Sequence, residues 1–160
     1  LACTCGAAEV LATDSNPFSV AATKRNAELC QVTPRVKVVQ GHLLGEIGRV
    51  ASGFRADAII ADLPFLDCWL DASNELKLWV QRSYLDPEQR LNMELLSTAQ
   101  DYLADDGFLV LSFSNLDPVS EFKRKISERN WVIEETLTEK RGDHEWYAFK
   151  LRRARPAPVE

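Results

Sequence analysis

The sequence predicts an α/β domain built on a mostly parallel sheet that ends in an antiparallel hairpin. Three observations carry this reading. Short apolar strands alternate with helical stretches along most of the chain. The run Ala56 to Ala61 is apolar apart from Asp57, as expected of a parallel strand covered on both faces. Arg141-Gly142-Asp143 then supplies a tight turn between two final strands.

Each element has a local cause. Glu9 to Thr13 is a short strand that runs into an acid, Asp14. Ser15-Asn16-Pro17 offers a cap and a first-turn proline for a helix from Pro17 to Leu29. Val36 to Gln40 is a second strand, followed after Gly41 by a helical or looping stretch through Phe54. Ala56 to Ala61 is the third. Pro87 opens a helix in which Leu91, Leu95, Ala99 and Tyr102 or Leu103 recur at helical spacing, and Asp105-Asp106-Gly107 is expected to end it. Phe108 to Phe113 is the next strand, and Asp117-Pro118 starts a helix with Val119, Phe122 and Ile126 on one face. Trp131 to Thr138 and Glu145 to Leu151 form the hairpin. Arg152 to Glu160, with Pro156 and Pro158, reads as a flexible tail. Leu66 to Asp86, with Trp69 and Trp79, has no clean period and reads as an insertion or lid, or as plain core.

The 160 residues, 46% of them hydrophobic, suffice for one domain with a sizeable core. No apolar stretch approaches the roughly 20 residues that cross a bilayer, so no membrane partner and a cytoplasmic location are expected. Cys3, Cys5, Cys30 and Cys68 lack paired Cys-x-x-Cys spacing, which predicts reduced, mostly buried thiols and no metal site. A net charge of −5 gives no general attraction to nucleic acid. Two segments are locally basic, Lys123-Arg124-Lys125 and Lys150, Arg152, Arg153 and Arg155. Solvated faces explain such clusters as readily as an RNA contact does.

The third strand runs directly into Asp62-Leu63-Pro64-Phe65. Pro64 holds Leu63 extended, and an ordinary turn accounts for that much. With the strand order, however, the tetrapeptide resembles the catalytic loop of class I, Rossmann-like S-adenosylmethionine-dependent methyltransferases that act on amino groups, in which Asp, Asn or Ser precedes Pro-Pro and an aromatic residue. Leu63 replaces the first proline. The stretches Ala12 to Pro17 and Asn26-Ala27-Glu28 are also similar to the family, and the likeness extends from Glu9 to Leu151.

The resemblance implies that Asp62 and the Leu63 carbonyl accept the two hydrogens of a target amine, with Pro64 shaping the loop and Phe65 stacking on a planar substrate. It implies S-adenosyl-L-methionine as cofactor, with Asp14 on the ribose hydroxyls beside Ser15. The family's adenine-binding Asp is His42 here. A ring nitrogen of His42 can accept a hydrogen bond, or adenine recognition falls to the main chain near Leu43. The family's glycine-rich first loop is not found, and Cys3-Thr4-Cys5-Gly6 has the wrong spacing for it. The family's first strand lies between those corresponding to Glu9–Thr13 and Ala56–Ala61. A Rossmann-like sheet lacking that strand is therefore expected, with residues 1–151 an N-terminally incomplete single domain. RNA is narrowly favoured as methyl acceptor over protein glutamine or a small molecule, on the strength of the basic C-terminal region. A catalytically inactive methyltransferase-like scaffold is the alternative, and a nicotinamide-dependent dehydrogenase is disfavoured.

Overall fold

The structure, a computed structural model, describes residues 2–3, 5–66 and 84–154. It comprises two compact units, Leu1–Phe54 and Arg55–Glu160. The expected segment from Trp69 to Trp79 lies outside the described residues, as does Cys68.

In the first unit, β1 (Val10–Asp14) pairs in parallel with β2 (Val36–Gln40) across the full length of both strands. Between them runs α1 (Pro17–Leu29), begun by Asn16, whose side-chain oxygen accepts from the Phe18 amide. That is the punctuation read in Ser15-Asn16-Pro17. Cys3, Ala27 and Val32 form a small core with Val10 and Val36 against it. A short helix, α2 (Ile47–Val50), follows β2. Of the three described cysteines only Cys3 is buried, whereas Cys5 and Cys30 are exposed, contrary to the expectation of mostly buried thiols.

The second unit is a four-stranded sheet in the order β3 (Ala56–Ala61), β4 (Leu103–Ser114), β6 (His144–Arg153), β5 (Trp131–Arg141). The β3–β4 pair is parallel, and β6 is antiparallel to both its neighbours. Among its described residues the unit also has two α-helices, α3 (Arg90–Thr98) and α4 (Val119–Glu128).

Both helices cover one face of this sheet. Phe122 of α4 stacks on Phe113 of β4 at 4.0 Å between centroids, and the Trp131 indole donates to the Leu96 carbonyl of α3 at 2.7 Å. Leu109, Leu111, Phe113, Phe149 and Leu151 share that buried face. The alternate residues Ile60, Val110, Ser112, Ala148 and Trp146 point to the other face, by the period of two along each strand. Ile60 is 71% exposed there. Among the described residues of this unit α3 and α4 pack on the same side, which differs from the expectation that β3 is covered on both faces.

Three boundaries also differ from the sequence reading. Pro87–Gln89 is a 3₁₀ turn with Glu88 and Gln89 at φ of 61° and 57°, so regular helix begins only at Arg90. Asp105-Asp106-Gly107 does not end a helix but lies inside β4, at a register shift against β3. Gly107 permits this: a Cβ at that position would stand 2.8 Å from the Ala56 carbonyl oxygen and 2.9 Å from that of Ala104. Lastly, β6 extends through Arg152 and Arg153, which are strand and not tail.

Of the C-terminal basic residues, Lys150, Arg152 and Arg153 are consumed by the fold, while Arg155 lies outside the described residues. Lys150 and Arg152 flank Glu134 across the hairpin at 2.8 Å and 3.2 Å, and Arg153 donates to the carbonyls of Gln100 and Leu103. Hydrogen bonds from Lys150 and then Arg152 hold the Glu134 carboxyl below the usual carboxylate range. A depressed folded-state value means that this contribution is present above the ordinary carboxylate pKa and is lost as pH falls through the lowered value. In α4, Arg124 and Lys125 pair with Glu128 and Glu121.

Candidate active site

Each unit gathers one half of the residues that the sequence singled out. In the first, the four cofactor candidates meet at the carboxyl ends of β1 and β2. Thr13 donates its hydroxyl to the Leu43 carbonyl at 2.6 Å, and the Gly41 amide donates to the Asp14 carbonyl at 3.0 Å. Gln40 reaches the Ser15 carbonyl at 3.3 Å. These bonds lock the two strand-end loops together and place Leu43 at a positive φ of 46°. Asp14 is exposed, and its Oδ1 accepts from the Asn16 amide at 2.8 Å. One carboxylate oxygen is thus spent on fixing the turn, and the rigid turn aims the side chain.

In the second unit, Asp62 follows β3 on the face opposite the helices. The Ser112 hydroxyl donates to Asp62 Oδ1. Ser112 was not singled out by the sequence, since only the pairing of Ala61 with Leu111 brings it beside the motif. Oδ2 and the Leu63 carbonyl have no hydrogen-bond partner among the described residues. The Pro64 carbonyl is held differently. Asn92, buried in α3, donates to it at 2.8 Å and to Asp86 Oδ2 at 3.1 Å. The buried Asp86 carboxylate accepts in turn from the Leu91 and Asn92 amides at 2.8 Å and 3.1 Å. A bridge between Leu66 and Leu85 fastens the far end of the loop.

Phe65 closes the site. Its ring lies 5.6 Å from that of Phe113 and 5.9 Å from that of Trp146, the second contact edge-to-face at 83°. The motif thus presents one carboxylate oxygen, one main-chain carbonyl and an aromatic ring from a loop anchored at three points. Two acceptors beside a ring suit a planar group bearing an NH2.

Over 96% of its length the chain superposes on the ribosomal protein L11 methylase of Lactobacillus delbrueckii subsp. bulgaricus, with a TM-score of 0.66 at 19% identity. It likewise matches the B. subtilis tRNA methyltransferase TrmK over 91% of its length, with a TM-score of 0.58 at 13% identity. The chain shares the fold of these methyltransferases. A third similar structure, M. capricolum TrmK, is bound to the cofactor product S-adenosyl-homocysteine; it matches over 96% of this chain, with a TM-score of 0.62 at 11% identity. The chain spans 62%, 50% and 55% of these three proteins, respectively. No family model and no curated protein sequence matches it. Among the described residues no helix is long and apolar enough to cross a membrane.

Proposed function

We propose that this chain is an S-adenosylmethionine-dependent N-methyltransferase acting on a planar amino group. The observation that carries the proposal is Asp62, fixed through one oxygen by Ser112 and followed three residues on by Phe65, on a methyltransferase-like sheet. The residues present fit the adenosine part of the cofactor. Asp14, aimed by its turn, would take the ribose hydroxyls, with Ser15, His42 and the Leu43 main chain beside it. Among the described residues no glycine-rich turn is available for the methionine part. When bound, the cofactor supplies an electrophilic methyl group on a good leaving group.

The chain's own work is to orient the acceptor. Asp62 Oδ2 and the Leu63 carbonyl accept the two amine hydrogens, which turns the nitrogen lone pair out of the substrate plane. Both acceptors bind more tightly as positive charge develops on nitrogen, so they stabilise the transition state more than the ground state. Phe65 holds the plane of the substrate.

RNA remains the favoured acceptor, but on different grounds. Within the basic clusters Lys150 and Arg152 are occupied by Glu134, and Lys125 and Arg124 by Glu121 and Glu128, so the clusters lend it less support. Support comes instead from the aromatic character of the loop and from the likeness to TrmK, named as a tRNA methyltransferase. The alternative, an inactive scaffold, is favoured by His42 and Leu63 standing where the family has Asp and Pro.

Thermal shift with S-adenosylhomocysteine against NAD separates these readings. Stabilisation by the first alone is expected, while stabilisation by NAD alone would indicate a dehydrogenase and by neither a scaffold. Asp14→Asn is expected to weaken S-adenosylhomocysteine binding by about 1–3 kcal/mol, the range for a hydrogen bond to a charged group. The Asn oxygen still accepts from the Asn16 amide, so the turn survives and the loss reports on the ribose. Unchanged affinity in calorimetry rejects this role for Asp14.

A further inference from the structure

We infer that Trp146 of β6 is the second aromatic wall of the acceptor site, and that the group received there is a nucleobase and not a carboxamide. The inference rests on the reading of Asp62 as the amine-binding residue. Trp146 lies opposite Ser114 on β4 and two residues from Ala148, which lies opposite Ser112. Trp146 and Ser112 therefore point to the same face of the sheet, opposite α3 and α4, and Ser112 is the residue that holds Asp62.

The indole is 40% exposed although it belongs to a strand bonded on both sides. Its described aromatic contact is with Phe65, at 5.9 Å and 83°. Two rings at nearly a right angle make a corner. A flat heterocycle laid on one ring presents its edge to the other, which is the offset and edge-to-face geometry that aromatic groups prefer. A carboxamide has too small a plane to use both walls. Neighbouring strands tie the corner down: Asn115, just after β4, exchanges hydrogen bonds with the Glu145 main chain at 3.0 Å in each direction.

Charge points the same way. Several cations along the hairpin and α4 are paired with acids, Lys150 and Arg152 with Glu134, Arg141 with Glu139, and Arg124 with Glu128, while Lys123 lies over the Phe149 ring and Arg153 donates to main-chain carbonyls. A single-stranded nucleic acid would then be held here chiefly through the faces of its bases, which stack on aromatic side chains without regard to sequence.

The test has two arms on protein saturated with S-adenosylhomocysteine or supplied with labelled S-adenosylmethionine. In the first, an adenylate dodecamer is titrated while tryptophan fluorescence is followed in the wild type and in Trp146→Phe. Quenching is expected in the wild type and should be largely absent from the variant. Equal quenching in both, or none in either, overturns the inference. In the second arm, methyl transfer into total RNA and total protein is compared for the wild type, Trp146→Ala and Trp146→Phe. Label should enter RNA, Trp146→Ala should raise KM about tenfold with a smaller change in kcat, and Trp146→Phe should recover most of the loss. Label in protein alone, or an unchanged KM in Trp146→Ala, overturns it. Quenching with no transfer into either pool leaves the base-binding corner standing and sinks the methyltransferase reading, so the two can fail separately.

Discussion

Asp62→Ala is expected to reduce kcat by about 10²-fold or more, the scale seen when one preorganised partner of a developing charge is removed. S-adenosylhomocysteine affinity should scarcely change. The side chain is exposed and its described hydrogen bond is to Ser112, so the fold does not depend on it. Single-turnover transfer of labelled methyl, once the acceptor pool is known, measures the effect, and thermal melting controls for stability. Ser112→Ala should show a smaller version of the same loss, about tenfold, because the carboxylate stays but is no longer fixed, and displacement of a catalytic group by a fraction of an ångström is costly. Turnover that survives Asp62→Ala would make the loop a structural turn.

The difference between Asp62 and Ser112 also marks how far the sequence can be read. Asp62 stands in a contiguous motif at the end of an apolar run, and its strand, Ala56–Ala61, was legible to the residue. So was α1, since Asn16 and Pro17 leave the backbone little choice about where to begin. Ser112 and Trp146 lie 50 and 84 positions beyond Asp62 in the chain, and nothing local distinguishes them from their neighbours. They join the motif only through strand register, which is a tertiary fact. The same holds for the basic segments. Lys150, Arg152 and Arg153 look like a patch in one dimension, whereas pairing across the hairpin turns them toward Glu134 and the carbonyls of Gln100 and Leu103. Asp105-Asp106-Gly107 misled for a related reason. Its turn chemistry is real, but the parallel ladder to β3 overrides it, and the glycine serves a close approach to Ala56 in place of a helix stop.

The remaining large effect is expected at Asp86, away from the chemistry. Its carboxylate accepts from the Leu91 and Asn92 amides and from the Asn92 side chain, all within a buried pocket. The same residue's carbonyl accepts from the Gln89 amide at 2.8 Å, while Lys125 donates to the Gln89 side chain at 3.0 Å. Together these bonds hold Glu88 and Gln89 in the left-handed region, a conformation costing about 1 kcal/mol or more for each such residue. Asp86→Ala removes the cap from the first turn of α3 and leaves buried donors unpaired, so a loss of about 2–4 kcal/mol is expected from the cap and desolvation terms. Denaturant titration at constant m-value measures it. The damage should also reach the site, because Asn92 then loses the partner that orients its amide toward the Pro64 carbonyl. In Asp86→Asn, which keeps an acceptor but loses the charge, stability should fall less than in Asp86→Ala, and transfer activity below the melting transition should fall with it. If Asp86→Ala melts with the wild type, the carboxylate is not what fixes the loop, and the bridge between Leu66 and Leu85 must carry that role.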